Sequence, residues 1–235
     1  MLDLGFNTER YAVQDLISTE DWAQEMIVGP SQGVIFLFQE TEPQRTFATA
    51  EKATLNAANN TPNLFYMKQL AHNACGTIAL FHVLLNAVDT VPDIIKEGSY
   101  LAEFKAKQNK SPNEIGEEFK ASKNVEEIHK DASNEGQSEA AERVDSHFIA
   151  FIVKDGSLYE LDGCKVMPVN HGPCAPDELL SHSCTEIKKF MERDPTNINF
   201  SIMVVGNRPE WSVAKASMLL LITVEYQSEL ELRAV

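Results

Sequence analysis

The chain has 235 residues, of which 43% are apolar, and a formal net charge of −15. That length suits one α/β domain with a sizeable core, while the acidic balance opposes binding to nucleic acid or anionic membranes and favours encounter with a basic partner. The N-terminus carries no basic-then-apolar leader, and Cys75, Cys164, Cys174 and Cys184 form no small-domain disulfide framework, so a reducing compartment is expected: cytoplasm by default, with the nucleus also open.

In chain order, residues 33–38 (GVIFLF) read as a strand without polar interruption, which predicts a central position with both faces buried. A helix is expected around 48–58, ended by an Asn-rich break. The apolar run 78–88 predicts a buried helix beginning at Cys75 and running to about Ala87. Residues 99–122 carry Leu101, Phe104, Ile115 and Phe119 at partly helical spacing, so one or two surface helices are expected. Strands follow at 147–153, 157–161 and about 165–169, then a helix over 176–194 that Asp194-Pro195 terminates, and a closing strand at 200–206. The later stretch SMLLLITV, 217–224, is too short to span a bilayer as a helix, which needs about 20 residues. It reads as an added strand, a partner-binding segment or an aggregation-prone piece.

The segment from Gln69 to Thr77, QLAHNACGT, places Cys75 where the buried helix starts. A helix N-terminus presents unpaired N–H groups and partial positive charge, which favour thiolate over thiol. Gln69, six residues upstream, can supply a side-chain donor for the oxyanion that forms when a thiolate attacks a carbonyl. A free cysteine is often just a buried small residue, so the case for Cys75 depends on partners elsewhere.

Those partners lie on the predicted hairpin. With Asp155-Gly156 as a two-residue turn, Lys154 pairs with Ser157, Ile149 falls opposite Asp162, and His147 sits diagonally across from Asp162 on the same face. A carboxylate there would orient the imidazole and stabilise its charged form, leaving the other ring nitrogen for a thiol. The order Gln, Cys, His, Asp, with the cysteine on a helix and the other two on a hairpin, is that of papain-like thiol hydrolases. The expected fold is therefore α/β (α+β), with a papain-like core. Its central sheet is mostly antiparallel and flanked by helices, with a buried nucleophile helix and a loop crossing the active site.

The wording of the motifs goes further. FYMKQLAHNACGTIAL around Cys75, NEGQSEAAERVDSHFIAF leading into His147, LYELDGCKVMPVNHG around Asp162, and KKFMERDP before the final strand resemble the small, single-domain ubiquitin carboxyl-terminal hydrolases, over residues 30–206. The resemblance implies Gln69 as the oxyanion side chain, Cys75 as nucleophile, His147 as general base and later acid, and Asp162 as its orienting residue. It implies a deubiquitinating thiol hydrolase that removes small adducts or short peptides from the C-terminal glycine of ubiquitin, or of a ubiquitin-like modifier. It also gives a role to a polar stretch that composition alone reads as a solvated loop. Ser133, Asn134, Glu135, Gly136, Gln137, Ser138, Glu139 and Ala140 would cross over the site and exclude folded conjugates.

No cofactor is implied, and a monomer is expected. The ten-residue spacing of Cys164, Cys174 and Cys184, with His171 and His182 nearby, lacks the close Cys pair of a structural zinc site, so no metal is expected. His82 reads as a core histidine, His72 as exposed, and His171 as a support for the active-site loop. The resemblance is looser at the ends. Relatives open with a short acidic segment and a helix ahead of the position of Leu4-Gly5, a difference that bears on substrate affinity and stability more than on the chemistry. Compact relatives stop near Gly206, so residues 1–206 are read as the catalytic domain and 207–235 as an atypical tail. Two other readings of the same residues stay open: a ubiquitin-binding protein with weak or lost turnover, and a different Cys-His-Asp acyl-transfer enzyme.

Overall fold

The computed structural model describes residues 4–55, 64–122 and 146–209. Its frame is a six-stranded sheet in the order β1-β6-β2-β3-β4-β5, with every neighbouring pair antiparallel. The strands are β1 (Tyr11–Leu16), β2 (Ser31–Gln39), β3 (Ser146–Lys154), β4 (Ser157–Leu161), β5 (Val169–Pro173) and β6 (Phe200–Asn207). The helices are α1 (Asp21–Gln24), α2 (Glu42–Thr54), α3 (Cys75–Ala87), α4 (Tyr100–Lys105), α5 (Pro112–Lys120) and α6 (Leu179–Arg193).

Alternation along the strands divides the core in two. Ile35, Ala150, Ile152 and Leu161 face one side, where they pack with Phe81, Leu84 and Leu85 of α3, Phe104 of α4 and Phe119 of α5. Val34, Phe36, Phe38, Ile149 and Phe151 face the other, against Leu179, Ile187 and Phe190 of α6. The sheet is thus the middle layer of three. As expected, β2 is central, between β3 and β6, and its residues Gly33 to Phe36 are all buried.

Helix α3 is buried all round, every residue from Ile78 to Ala87 included. Burial on that scale requires its polar side chains to find partners. Asn86 does so by clamping the neighbouring extended chain: its Nδ2 donates to the Phe65 carbonyl (2.9 Å) and its Oδ1 accepts from the Phe65 amide (2.8 Å). His82 accepts from the Met67 amide through Nε2 (3.2 Å), and burial pushes its pKa down to about 4. It is the core histidine its position suggested. The residue segment Leu64 to Gln69 is thereby fastened along α3, which carries Gln69 to the site.

Four elements differ from expectation. Helix α2 starts at Glu42, before the expected 48, because Pro43 is preorganised for a first helical turn. Its sequence is polar and Gln44 is its buried residue, so hydrophobic periodicity gives a weak signal there. Strand β5 starts at Val169 rather than 165, because the Lys165 amide donates to the Asp162 carbonyl (3.0 Å) and holds the chain in a turn. Strand β1 and the single turn of α1 had no strong pattern and were not anticipated. The 99–122 region resolves into two helices, each with a serine N-cap: Ser99 on α4, and Ser111 in a reciprocal capping box with Glu114 on α5.

Candidate active site

The site lies where the N-terminus of α3 meets the start of β3 and the end of β4. Asn73, with φ of 53°, takes the left-handed conformation that Asn tolerates and turns the chain into α3. The N-cap position is Ala74, which offers no side-chain acceptor, so the first amides of the helix remain available to another anion. Cys75 supplies it. Burial alone would push this thiol up. The hydrogen bond it shares with His147, the backbone amide of Phe148, the charge of His147 and the amide of Gly76 together bring it below the ordinary thiol range.

The hairpin has the register derived from its turn. Lys154 pairs with Ser157 and Ala150 with Leu161, around a turn in which Asp155 and Gly156 have φ of 50° and 73°. Two positive φ angles characterise the type I′ turn favoured in two-residue hairpins. This register brings His147 Nε2 to 2.8 Å from Asp162 Oδ1, with both residues buried. Nε2 is engaged by the carboxylate, which leaves Nδ1 for the thiol. Burial opposes a charged imidazole, but the Asp162 and Cys75 hydrogen bonds and the Asp162 charge outweigh it and push His147 up to about 11. The two directions agree: thiolate and imidazolium are the favoured pair. Cys164, Cys174 and Cys184 all shift the other way, with burial as the first cause in each.

The Asp162 loop is held from several directions. Tyr66 shares its hydroxyl hydrogen between the Asp162 and Lys165 carbonyls, 2.7 Å from each. Lys68 Nζ donates to the same Lys165 carbonyl, and the Cys164 amide donates to Asp162 Oδ1 (2.8 Å). Gln69 enters by the same route: its amide donates to the Gly163 carbonyl (2.9 Å), and a side chain at Gly163 would put its Cβ 3.0 Å from the Gln69 nitrogen and Cβ. Only glycine permits this approach without displacement. Gln69 Oε1 is buried and has no hydrogen-bond partner among the described residues, so the carboxamide is not committed to the fold on that side.

Behind the loop runs a chain of ion pairs. Lys165 Nζ lies 2.5 Å from both Glu51 of α2 and Glu160 of β4. Glu160 in turn lies 3.0 Å from His171 Nε2, and His171 Nδ1 lies 3.2 Å from Glu186 of α6. His171 therefore supports the Asp162 loop at second hand. His72 is exposed. A cleft of about 340 Å³, lined by α2, Phe38, His147, Asp162, Cys164 and Phe190, opens beside the His147–Asp162 pair.

The structure brings His147 onto both Asp162 and Cys75, as the hairpin register and the helix-terminal cysteine suggested, while Gln69 is placed by its backbone bond to Gly163. Sequence reasoning missed the Phe148 amide, because a backbone donor leaves no mark in side-chain identity. Tyr66 and Lys165 were visible inside the quoted motifs but carried no spacing that would single them out. The proposed crossover residues, Ser133 to Ala140, lie outside the described residues, as does the tail from residue 210.

Known proteins resemble this chain in sequence and in fold. The chain is 31% identical over 206 residues to ubiquitin carboxyl-terminal hydrolase 3 of Arabidopsis thaliana, covering 87% of each protein. It is 31% identical over 192 residues to isozyme L1 of Rattus norvegicus, covering 81% of this chain and 85% of that protein. The fold is similar to the Trichinella spiralis UCH37 catalytic domain, solved bound to ubiquitin vinyl methyl ester. That match has a TM-score of 0.66 and 23% identity, covering 85% of this chain and 86% of the other. The family model for ubiquitin carboxyl-terminal hydrolase, family 1, matches residues 1–192, and the chain belongs to that family.

Proposed function

We propose that this protein is a cysteine-type deubiquitinase in which Cys75, His147, Asp162 and Gln69 carry the chemistry, acting on small adducts or short peptides at the C-terminal glycine of ubiquitin. Family membership supports the substrate class. The observation that carries the residue roles is the 2.8 Å pairing of His147 with Asp162, next to a helix-terminal thiol shifted toward thiolate.

With the thiolate–imidazolium pair favoured in the resting site, His147 need not remove a proton during attack. The Cys75 sulfur adds to the glycine carbonyl, and the oxygen gains charge beside the Cys75 amide and the Gln69 carboxamide. His147 then gives its proton to the departing amine or thiol, leaving a thioester. In the second half, neutral His147 takes a proton from water as the water attacks, ubiquitin leaves with a free carboxylate, and the thiolate returns. Asp162 keeps Nδ1 aimed at the reacting atoms throughout.

The test is release of a fluorescent amine from the ubiquitin C-terminus by wild type and by Cys75→Ala. Wild type should be at least a thousandfold faster. Equal rates, with ubiquitin binding intact, would leave a binding protein instead.

A further inference from the structure

The cleft beside the His147–Asp162 pair contains a thiol that the hydrolase mechanism does not use. Cys164 follows Asp162 by two residues, is exposed, and lines the same cleft as His147 and Asp162. A ligand atom from each of these three side chains lies within 4.8 Å of the other two. Among the described residues, no other group of three histidine, cysteine or acidic side chains converges in this way.

We propose that His147, Asp162 and Cys164 form an inhibitory site for a borderline-soft divalent cation such as Zn²⁺, which blocks the enzyme by taking the catalytic imidazole as a ligand.

The donor chemistry selects the ion. One thiolate, one imidazole nitrogen and one carboxylate oxygen make an S,N,O set that suits Zn²⁺ and disfavours Mg²⁺ or Ca²⁺, which need oxygen cages. Zinc at about 2.0–2.3 Å from each donor sets tetrahedral donors about 3.5 Å apart. A set confined to 4.8 Å lies within about 1.3 Å of that spacing. The protein would supply three ligands, and the fourth position would face the 340 Å³ cleft, which is also the path of entry from solvent. The ion would replace the proton on His147 Nε2, which now points at Asp162 Oδ1 across 2.8 Å, and the proton on Cys164 Sγ. Both protons leave to water, the nitrogen lone pair and the thiolate pair go to the metal, and no oxidant or reductant is required. The cost falls on catalysis, since the His147–Asp162 hydrogen bond cannot coexist with a metal on Nε2. This differs from a structural zinc site built on Cys164, Cys174 and Cys184, of which the last two are buried elsewhere.

Cobalt(II) tests the site without reference to turnover, because thiolate coordination gives a charge-transfer absorption band. Titration with Co²⁺ should produce the band in wild type and in Cys75→Ala, and Cys164→Ser and Cys164→Ala should both abolish it. Retention in the Cys164 variants with loss in Cys75→Ala would put the metal on the nucleophile and overturn the proposal, as would absence of a band in every protein. In parallel, Zn²⁺ should inhibit wild-type hydrolysis reversibly on chelation. The concentration for half-inhibition should rise at least tenfold in Cys164→Ser, each protein being compared with its own metal-free rate. An unchanged value would also overturn it. Since the cobalt titration needs no substrate, its result stands whether or not the hydrolase reading survives.

Discussion

At the scale of single residues, Asp162 joins the hairpin to the chemistry. Its carboxylate raises His147 and, through His147, helps to lower Cys75. A raised imidazole stays protonated until pH climbs through its folded value, and a lowered thiol stays ionised until pH falls through its own. The ion pair should therefore give a broad plateau of kcat/KM between the two. Asp162→Asn removes the charge, so the alkaline limb should move down and the acid limb up, and the plateau rate should fall on the order of a hundredfold or more. A pH–rate profile decides the point: an alkaline limb that does not move would mean that Asp162 only positions the ring. Much of this was legible in sequence. A two-residue Asp-Gly turn fixes register, and register fixes which side chains share a face, so the pairing of His147 with Asp162 follows from counting along two strands. The Phe148 amide that helps to lower Cys75 was not legible, because any residue carries an N–H and only the fold aims it, whereas the Gly76 amide belongs to the helix N-terminus that the sequence places at Cys75. The proximity of Cys164 to His147 was equally hidden, since it depends on how the loop after β4 turns back.

At the scale of elements, the reach of Cys75 depends on how closely α3 lies against β2. A Cβ added at Gly33 would stand 2.4 Å from Val83 Cγ1 and 2.7 Å from Val83 Cγ2, well inside any contact that real side chains make. Both residues are wholly buried, so neither can swing away. Gly33→Ala should cost about 1–3 kcal/mol by overpacking, seen as a lowered denaturation midpoint. The cause can be separated from a general intolerance at β2. In the double variant Gly33→Ala/Val83→Ala the new methyl gains room, so the two losses should combine to less than their sum. Strict additivity would contradict a helix–strand clash. Strand β2 was readable as an unbroken apolar run and α3 as a continuous buried helix, because both are saturated with hydrophobic residues. Helix α2 was misplaced for the opposite reason: it is held by polar contacts. Gln44 Nε2 donates to the Phe190 carbonyl (2.6 Å), and the Arg193 guanidinium lies 3.6 Å from the Phe47 ring centre and 3.8 Å from that of Phe190. Such contacts have no periodicity to detect.

At the scale of the whole molecule, the half-buried ion-pair chain around Glu160 ties α2, β4, β5, α6 and the Asp162 loop into one unit. Glu160 is its centre. Burial would raise this carboxyl, but the charge of Lys165 and the hydrogen bond and charge of His171 hold it down at about 2. A depressed carboxyl contributes its stability in full above the unfolded value of about 4.3 and loses it as pH falls toward the folded one. Thermal stability should therefore drop between about pH 4.5 and pH 2. Glu160→Gln should lower the neutral-pH plateau by about 3 kcal/mol and flatten the decline in that window. Melting curves across the range give the answer, and an acid limb as steep in the variant as in wild type would point to other carboxylates. The sheet order has a consequence of a different kind, for the growing chain. Strand β6 is the only described partner of β1, and it also forms one edge of β2. Tyr11 pairs with Asn207, so the first strand waits for the last. Until Phe200–Asn207 has left the ribosome, the apolar β2 can pair with β3 but keeps a bare edge, open to strands from other nascent chains. During synthesis, the protein is thus exposed to misassembly for almost the whole time its described fold takes to emerge, and any stop codon before residue 200 would make that exposure permanent.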